Sequence, residues 1–306
     1  MAAPRVAVGP RASTYATDAV IAGGGSVVDV SDAPDALVWL DPADVSGLAG
    51  RLAEAPAVRW VQLPFAGVER VAEFGLLDRS RIWTCAKGSY AEPVAEHALA
   101  LGLAGLRHLP TRIGARSWGV PAGTSLFDQR VTILGGGGIA DVLVDMLAPF
   151  RVEVTVVRRR AEPLPGAART VPVAELADVL PGSLLVILAL ALTPETTGII
   201  GAPELALMDP SSWLVNVARG RHVDTGALVT ALEDGSIAGA ALDVTDPEPL
   251  PDGHPLWDLS NCIITPHTAD TIEMVLPLLA ERIRTNVSLF AVGETLVGLV
   301  DPEAGY

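Results

Sequence analysis

Val131-Thr-Ile-Leu-Gly-Gly-Gly-Gly-Ile-Ala140 is the stretch on which the reading of this chain turns. Its first four residues predict a short strand, the glycines a tight turn, and residues 141–148 a helix. A second strand follows at Val152-Glu-Val-Thr-Val-Val157. Gly135, Gly137 and Ala140 stand at the spacing G-x-G-x-x-A. Between a strand and a helix, such a loop lets the backbone approach a pyrophosphate and points the helix's first N–H groups at the anion. Glycines alone would fit a flexible turn equally well. The strand on each side makes this a dinucleotide-binding turn.

The second strand should carry the residue that reads the adenine ribose. A carboxylate there suits the free hydroxyls of NAD. This chain instead has Arg158-Arg-Arg160. Guanidinium groups pair bidentately with a 2′-phosphate, so Arg158 and Arg159 favour NADP over NAD. The plain alternative is a solvated basic loop in an acidic protein.

Working outward, residues 5–9, 26–30, 36–40, 58–63 and 81–85 read as strands with helical segments between them. A long helix should open at Pro93 and run to about Leu109, followed by a polar, glycine-rich passage over residues 111–129. After the glycine loop, strands recur at residues 184–188, 213–217, 239–243 and 262–265, before a helix over residues 272–291. Strands that alternate with helices imply βαβ units and parallel sheets, and several of these runs are apolar throughout, as strands covered on both faces are. At 306 residues, two domains are expected.

Composition excludes several classes. Half the residues are apolar and 19% are charged, ample material for buried cores with nothing that suggests disorder. A formal net charge of −15 argues against nucleic acid as a partner. Cys85 and Cys262 stand alone, without a second Cys or His at ligand spacing, so no metal site or disulfide is expected and both should be buried, inert thiols. The first residues lack a signal-peptide layout, and the longest apolar run, Leu184-Leu-Val-Ile-Leu-Ala-Leu-Ala-Leu192, is about half a membrane span. A soluble protein of the reducing cytoplasm, with no membrane partner, is the expectation.

Three residues at consecutive strand ends carry the candidate chemistry. Arg219 closes Leu214-Val-Asn-Val-Ala-Arg-Gly220, Glu248 lies between prolines in Asp243-Val-Thr-Asp-Pro-Glu-Pro249, and His267 ends Ile263-Ile-Thr-Pro-His267. Ligands of open α/β sheets bind at such ends. Arginine clamps a carboxylate, histidine exchanges a proton near neutrality, and a carboxylate orients it. Each taken alone is as readily structural; together, downstream of a dinucleotide loop, they suggest hydride transfer to a small acid.

These segments, with Thr193-Pro-Glu-Thr-Thr-Gly198, Pro247-Glu-Pro-Leu250, Asn261-Cys-Ile-Ile-Thr-Pro-His267 and Val94-Ala-Glu96, resemble the D-isomer-specific 2-hydroxyacid dehydrogenase family over about residues 58–283. The resemblance implies two doubly wound α/β domains. A discontinuous flavodoxin-like substrate domain would take residues 1–97 and 268–306, and a Rossmann domain residues 98–267. It further implies that Arg219 binds the substrate carboxylate, His267 is the acid/base and Glu248 its partner. Backbone amides at Ala66 and Gly67 would assist the carboxylate. Gly138, Ile139, Thr196 and Ala218 would line the cofactor, and Asp243 would meet the nicotinamide amide. The long helix would support a homodimer, and closure of the domains would exclude water.

The chain departs from the family at Leu188-Ala-Leu-Ala-Leu192, where relatives carry His or Cys and then Pro, and at Thr268-Ala-Asp270, where they often carry glycine or serine. Glu248 argues against the formate dehydrogenase branch, and the absence of a basic residue over 63–68 against a phosphorylated substrate. No regulatory domain is expected after Tyr306. The substrate would be a small 2-keto or 2-hydroxy acid of the glyoxylate or hydroxypyruvate type. Two rivals remain: a non-catalytic NAD(P)-sensing protein on the same scaffold, and an amino-acid enzyme. The second would need a lysine, and Lys87 is the only one in the chain.

Overall fold

The computed structural model describes residues 3–303, so the first two and last three residues of the expected substrate domain lie outside the described residues. The chain divides into two compact units, one built from the chain up to Tyr90 and again from Thr271, the other from Ala91–Asp270.

The first unit holds β1 (Arg5–Gly9), β2 (Ser26–Val27), β3 (Ala36–Trp39), β4 (Trp60–Gln62) and β5 (Ile82–Thr84), all parallel in the order β2-β1-β3-β4-β5. This is the flavodoxin-like order. β2 is shorter than the run 26–30 suggested, because Val30 turns into a 3-10 helix and the exposed edge has little to bury. The helix Ile272–Val292 packs on Thr14–Ala22. Its buried Asn286 donates to Gln62 Oε1 at 2.8 Å and to the Val297 carbonyl at 2.9 Å, which ties the returning chain to β4.

The second unit holds β6 (Arg130–Leu134), β7 (Glu153–Arg158), β8 (Arg169–Pro172), β9 (Leu185–Leu188), β10 (Trp213–Asn216), β11 (Gly239–Leu242) and β12 (Cys262–Ile264). All seven are parallel, in the order β8-β7-β6-β9-β10-β11-β12. Every residue of β9, β10 and β11 is buried, which accounts for their unbroken apolar runs. β8 was not legible in the sequence: it is a polar edge strand ending in proline, and an edge is a place where a sheet tolerates that residue.

The expected long helix spans Ala91–Leu106, with Pro93 in its first turn, and a separate short helix follows over Leu109–Ile113. Pro110 explains the break. In a continuous helix its ring would strike the carbonyl of Leu106, and the chain instead passes through left-handed backbone at His108. Cys85 is buried, whereas Cys262 is only half-buried, a correction to the expectation of two buried thiols. Among the described residues, no helix is long and apolar enough to cross a membrane, and no His/Cys/Asp/Glu group is placed to hold a metal.

Candidate active site

Because the seven strands of the second unit are parallel, all their C-terminal ends open on one edge of the sheet. The glycine loop leaves β6 beside β9, where the strand order reverses and where ligands of such sheets bind. Gly135 has φ +114°, and a Cβ there would stand 2.1 Å from the Ala189 carbonyl oxygen, so only glycine makes this turn. Gly137 caps the helix Gly138–Leu147, with open space where its side chain would be. The helix's first amides, with Gly138 and Ile139 half-buried at its start, are the orphan donors a pyrophosphate would fill. The loop therefore fits a dinucleotide.

Arg158 is the last residue of β7 rather than the first beyond it. Its side chain lies across the loop: a Cβ on Gly136 would come within 2.7 Å of Arg158 Cδ. Arg159 is exposed and interacts electrostatically with Glu195 in the turn over residues 193–198. That turn is closed by Thr196, whose Oγ1 accepts from the Thr193 N–H and donates to the Ala191 carbonyl, both at 2.8 Å. Buried His222 braces the turn from below, with Nδ1 2.9 Å from the Thr196 carbonyl and Nε2 3.2 Å from that of Leu190. Nothing in the sequence pattern marked His222.

The three candidate chemical groups leave three neighbouring strands, β10, β11 and β12. Buried Asn216 shapes the first loop: its Nδ2 donates to the Arg219 carbonyl at 2.9 Å and its Oδ1 accepts from the Ala218 N–H at 3.0 Å. Ala218 is itself buried, and its carbonyl accepts from Arg219 Nη1 at 2.7 Å. The structure brings Glu248 and His267 together, with Oε1 2.6 Å from Nδ1. Facing a carboxylate, Nδ1 carries the hydrogen, and Nε2 is the nitrogen left for other chemistry.

Asp243 organises this corner. Its carboxylate accepts from Thr265 Oγ1 at 2.6 Å and from the N–H groups of Thr268 and Ala269 at 2.9 and 3.1 Å, and His97 Nε2 stands 3.3 Å away. Burial would raise its pKa, but these donors outweigh burial and hold it at about 2. The Asp243 carbonyl also accepts from the His267 N–H at 2.8 Å, which helps hold His267 in left-handed backbone at φ 49°. His97 lies one residue beyond Val94-Ala-Glu96, and its part here depends on a contact 146 residues away in sequence. Asp270, next in line after this clamp, is half-buried within electrostatic reach of both Arg219 and His267.

Ala66 and Gly67 lie in the first unit, on the loop after β4. That loop is braced by Tyr90, whose hydroxyl donates to the Pro64 carbonyl at 2.6 Å, and by the Ala86 N–H, which donates to the Phe65 carbonyl at 2.8 Å. Buried Arg282 in turn donates to the carbonyls of Cys85 at 2.8 Å and Lys87 at 3.0 Å. Neither Tyr90 nor Arg282 could be singled out from sequence, since both act on backbone carbonyls.

A doubly wound sheet with a dinucleotide turn and an adjacent His–Glu pair fits the class of nicotinamide-dependent oxidoreductases. Comparison with known proteins narrows the class. Residues 98–269 match the NAD binding domain of D-isomer specific 2-hydroxyacid dehydrogenases. An uncharacterized protein from the proB 3′ region of Corynebacterium melassecola is 41% identical over 300 residues, covering 95% of this chain and 96% of that one. The glyoxylate reductase/hydroxypyruvate reductase of Mus musculus is 34% identical over 224 residues, covering 69% of this chain and 65% of that enzyme. The crystal structure of a D-isomer specific 2-hydroxyacid dehydrogenase from Xanthobacter autotrophicus Py2, in complex with NADPH and MES, superposes with a TM-score of 0.86 at 28% identity over all of both chains. The chain belongs to the D-isomer specific 2-hydroxyacid dehydrogenase family. It is an oxidoreductase that works with a nicotinamide cofactor on small 2-hydroxy or 2-keto acids.

Proposed function

We propose that this protein is an NADPH-preferring reductase of a small 2-keto acid of the glyoxylate or hydroxypyruvate type. The observation that carries the reading is the His267–Glu248 hydrogen bond of 2.6 Å, made one strand away from the Arg219 loop. Bound reduced nicotinamide supplies the hydride that carbon 2 of the keto acid takes up. The chain's own residues do the rest. Arg219 offers a planar fork to the substrate carboxylate. His267 donates a proton from Nε2 to the keto oxygen, while Glu248 keeps the ring oriented and offsets its charge.

Residues 135–139 would hold the pyrophosphate, with Thr196 and Ala218 along the cofactor. Asp243 would meet the nicotinamide amide. Ala66 and Gly67 remain candidate amide donors to a carboxylate from the sequence reading. The NADPH preference rests on Arg158 lying against the glycine loop. We read the second unit as the cofactor domain, the first as the substrate domain, and the working form as a cytoplasmic homodimer, which sedimentation of the purified protein would test. The deciding experiment is NADPH and NADH oxidation against a panel of 2-keto acids. Turnover of none of them would overturn the reading.

A further inference from the structure

We propose that Asp270 is a specificity-determining residue that selects 2-keto acids bearing a hydroxyl group on carbon 3. The inference deepens the reductase reading and rests on it. Residues 265–269 are pinned to Asp243 by one side-chain hydroxyl and three backbone N–H groups, so the position of Asp270, the next residue, is set by that clamp. Its carboxylate is half-buried, and its electrostatic neighbours are His267, Asp243 and Arg219. It accepts no hydrogen bond from any other described residue; its one donor is its own backbone N–H. Burial lifts its pKa above the ordinary 3.8, with Asp243 adding to the rise and His267 and Arg219 opposing it.

A half-buried carboxylate whose one donor among the described residues is its own backbone N–H keeps most of its acceptor capacity unfilled, which costs stability. Both groups proposed to hold the substrate, His267 and Arg219, are among its electrostatic neighbours. A keto acid held by its carboxylate at Arg219 and by its keto oxygen at His267 has one substituent left, the group on carbon 2 that distinguishes one 2-keto acid from another. A hydroxymethyl group there gives Asp270 a donor beyond its own backbone N–H. A methyl group leaves the acceptor unfilled, a hydrogen does not reach it, and a second carboxylate is repelled by it. Sites built to accept from a substrate hydroxyl discriminate strongly against the analogue without it.

The test measures kcat/KM with NADPH for hydroxypyruvate, pyruvate, glyoxylate and oxaloacetate in the full-length enzyme and in Asp270→Ala and Asp270→Asn. The parent enzyme is expected to prefer hydroxypyruvate to its isostere pyruvate by at least about tenfold. Asp270→Ala should erase most of that ratio. Asp270→Asn, which keeps an acceptor oxygen without the charge, should preserve most of it while raising oxaloacetate turnover relative to pyruvate about tenfold. A purely structural role would lower all four activities together and leave the ratios unchanged, and that result overturns the inference. If Asp270→Ala fails to fold, the oxaloacetate arm in Asp270→Asn decides. Should the parent oxidise NADPH with none of the four acids, the reductase reading itself fails; turnover with invariant ratios sinks only the role of Asp270.

Discussion

Replacing Asp243 with Asn probes the corner on which the proposed chemistry is mounted. Four donors converge on this buried carboxylate, and they hold its pKa at about 2 against an ordinary 3.8. At about 1.4 kcal/mol per pH unit, that difference is worth roughly 2 kcal/mol to the folded state. Asn keeps one acceptor oxygen, but its amide nitrogen would face the Ala269 N–H, donor against donor. In a unit the size of residues 91–270, a loss of about 2 kcal/mol lowers Tm by about 4–8 °C. The sign with pH follows from the depressed pKa. The stabilisation is complete above about pH 4 and is lost as pH falls toward 2, so the gap between parent and variant should be full at pH 7 and reduced at pH 3. Circular dichroism melts at pH 7 and denaturant unfolding at pH 3 read both. Equal melting at pH 7, or a gap undiminished at pH 3, would refute the account of Asp243 as a charge-assisted clamp.

Other outcomes are expected. His267→Ala should lower kcat by about 10²–10⁴-fold while NADPH binding, followed by nucleotide fluorescence, stays within about twofold; a fully active variant removes His267 from the acid/base role. Arg158→Asp should weaken NADPH relative to NADH by about 10–100-fold in KM, the loss of one charge-assisted pair; an unchanged ratio moves the 2′-phosphate contact elsewhere. Arg282→Met strips donors from two backbone carbonyls and should cost about 2–3 kcal/mol in denaturant unfolding, whereas a neutral effect would show that the strut is dispensable. Asp270→Asn should melt above the parent at pH 7, because a raised carboxyl pKa penalises the fold only when the group is charged. The gain should shrink as pH falls toward 3.8, and a variant no more stable than the parent at pH 7 contradicts that reasoning.

What the sequence determined by itself was whatever depends on local chemistry. Period and apolar runs marked eleven of the twelve strands among the described residues, and the glycine spacing marked the loop. Arg219, Glu248 and His267 could be named because each follows a strand of recognisable pattern. The twelfth strand, Arg169–Pro172, escaped because an edge strand buries too little to leave an apolar signature. The long helix was expected to reach about Leu109 but ends at Leu106, because the chain passes through left-handed backbone at His108 before Pro110 opens a separate short helix.

Only the tertiary structure decided which groups meet. The pairing of Glu248 with His267 joins residues 19 apart, the approach of His97 to Asp243 joins a helix to a strand end, and Arg282 reaches Cys85 across 197 residues. Hydrogen bonds to backbone carbonyls, as made by Tyr90, His222 and Arg282, leave no trace in a residue pattern, because every residue type offers the same acceptor. The same holds for Asp270. Its identity was plain in the sequence, but only the folded chain shows a half-buried carboxylate within electrostatic reach of a guanidinium and an imidazole, with no described donor beyond its own backbone N–H. Local sequence sets where strands begin and end, and the order in which they assemble into a sheet decides which of their ends become neighbours.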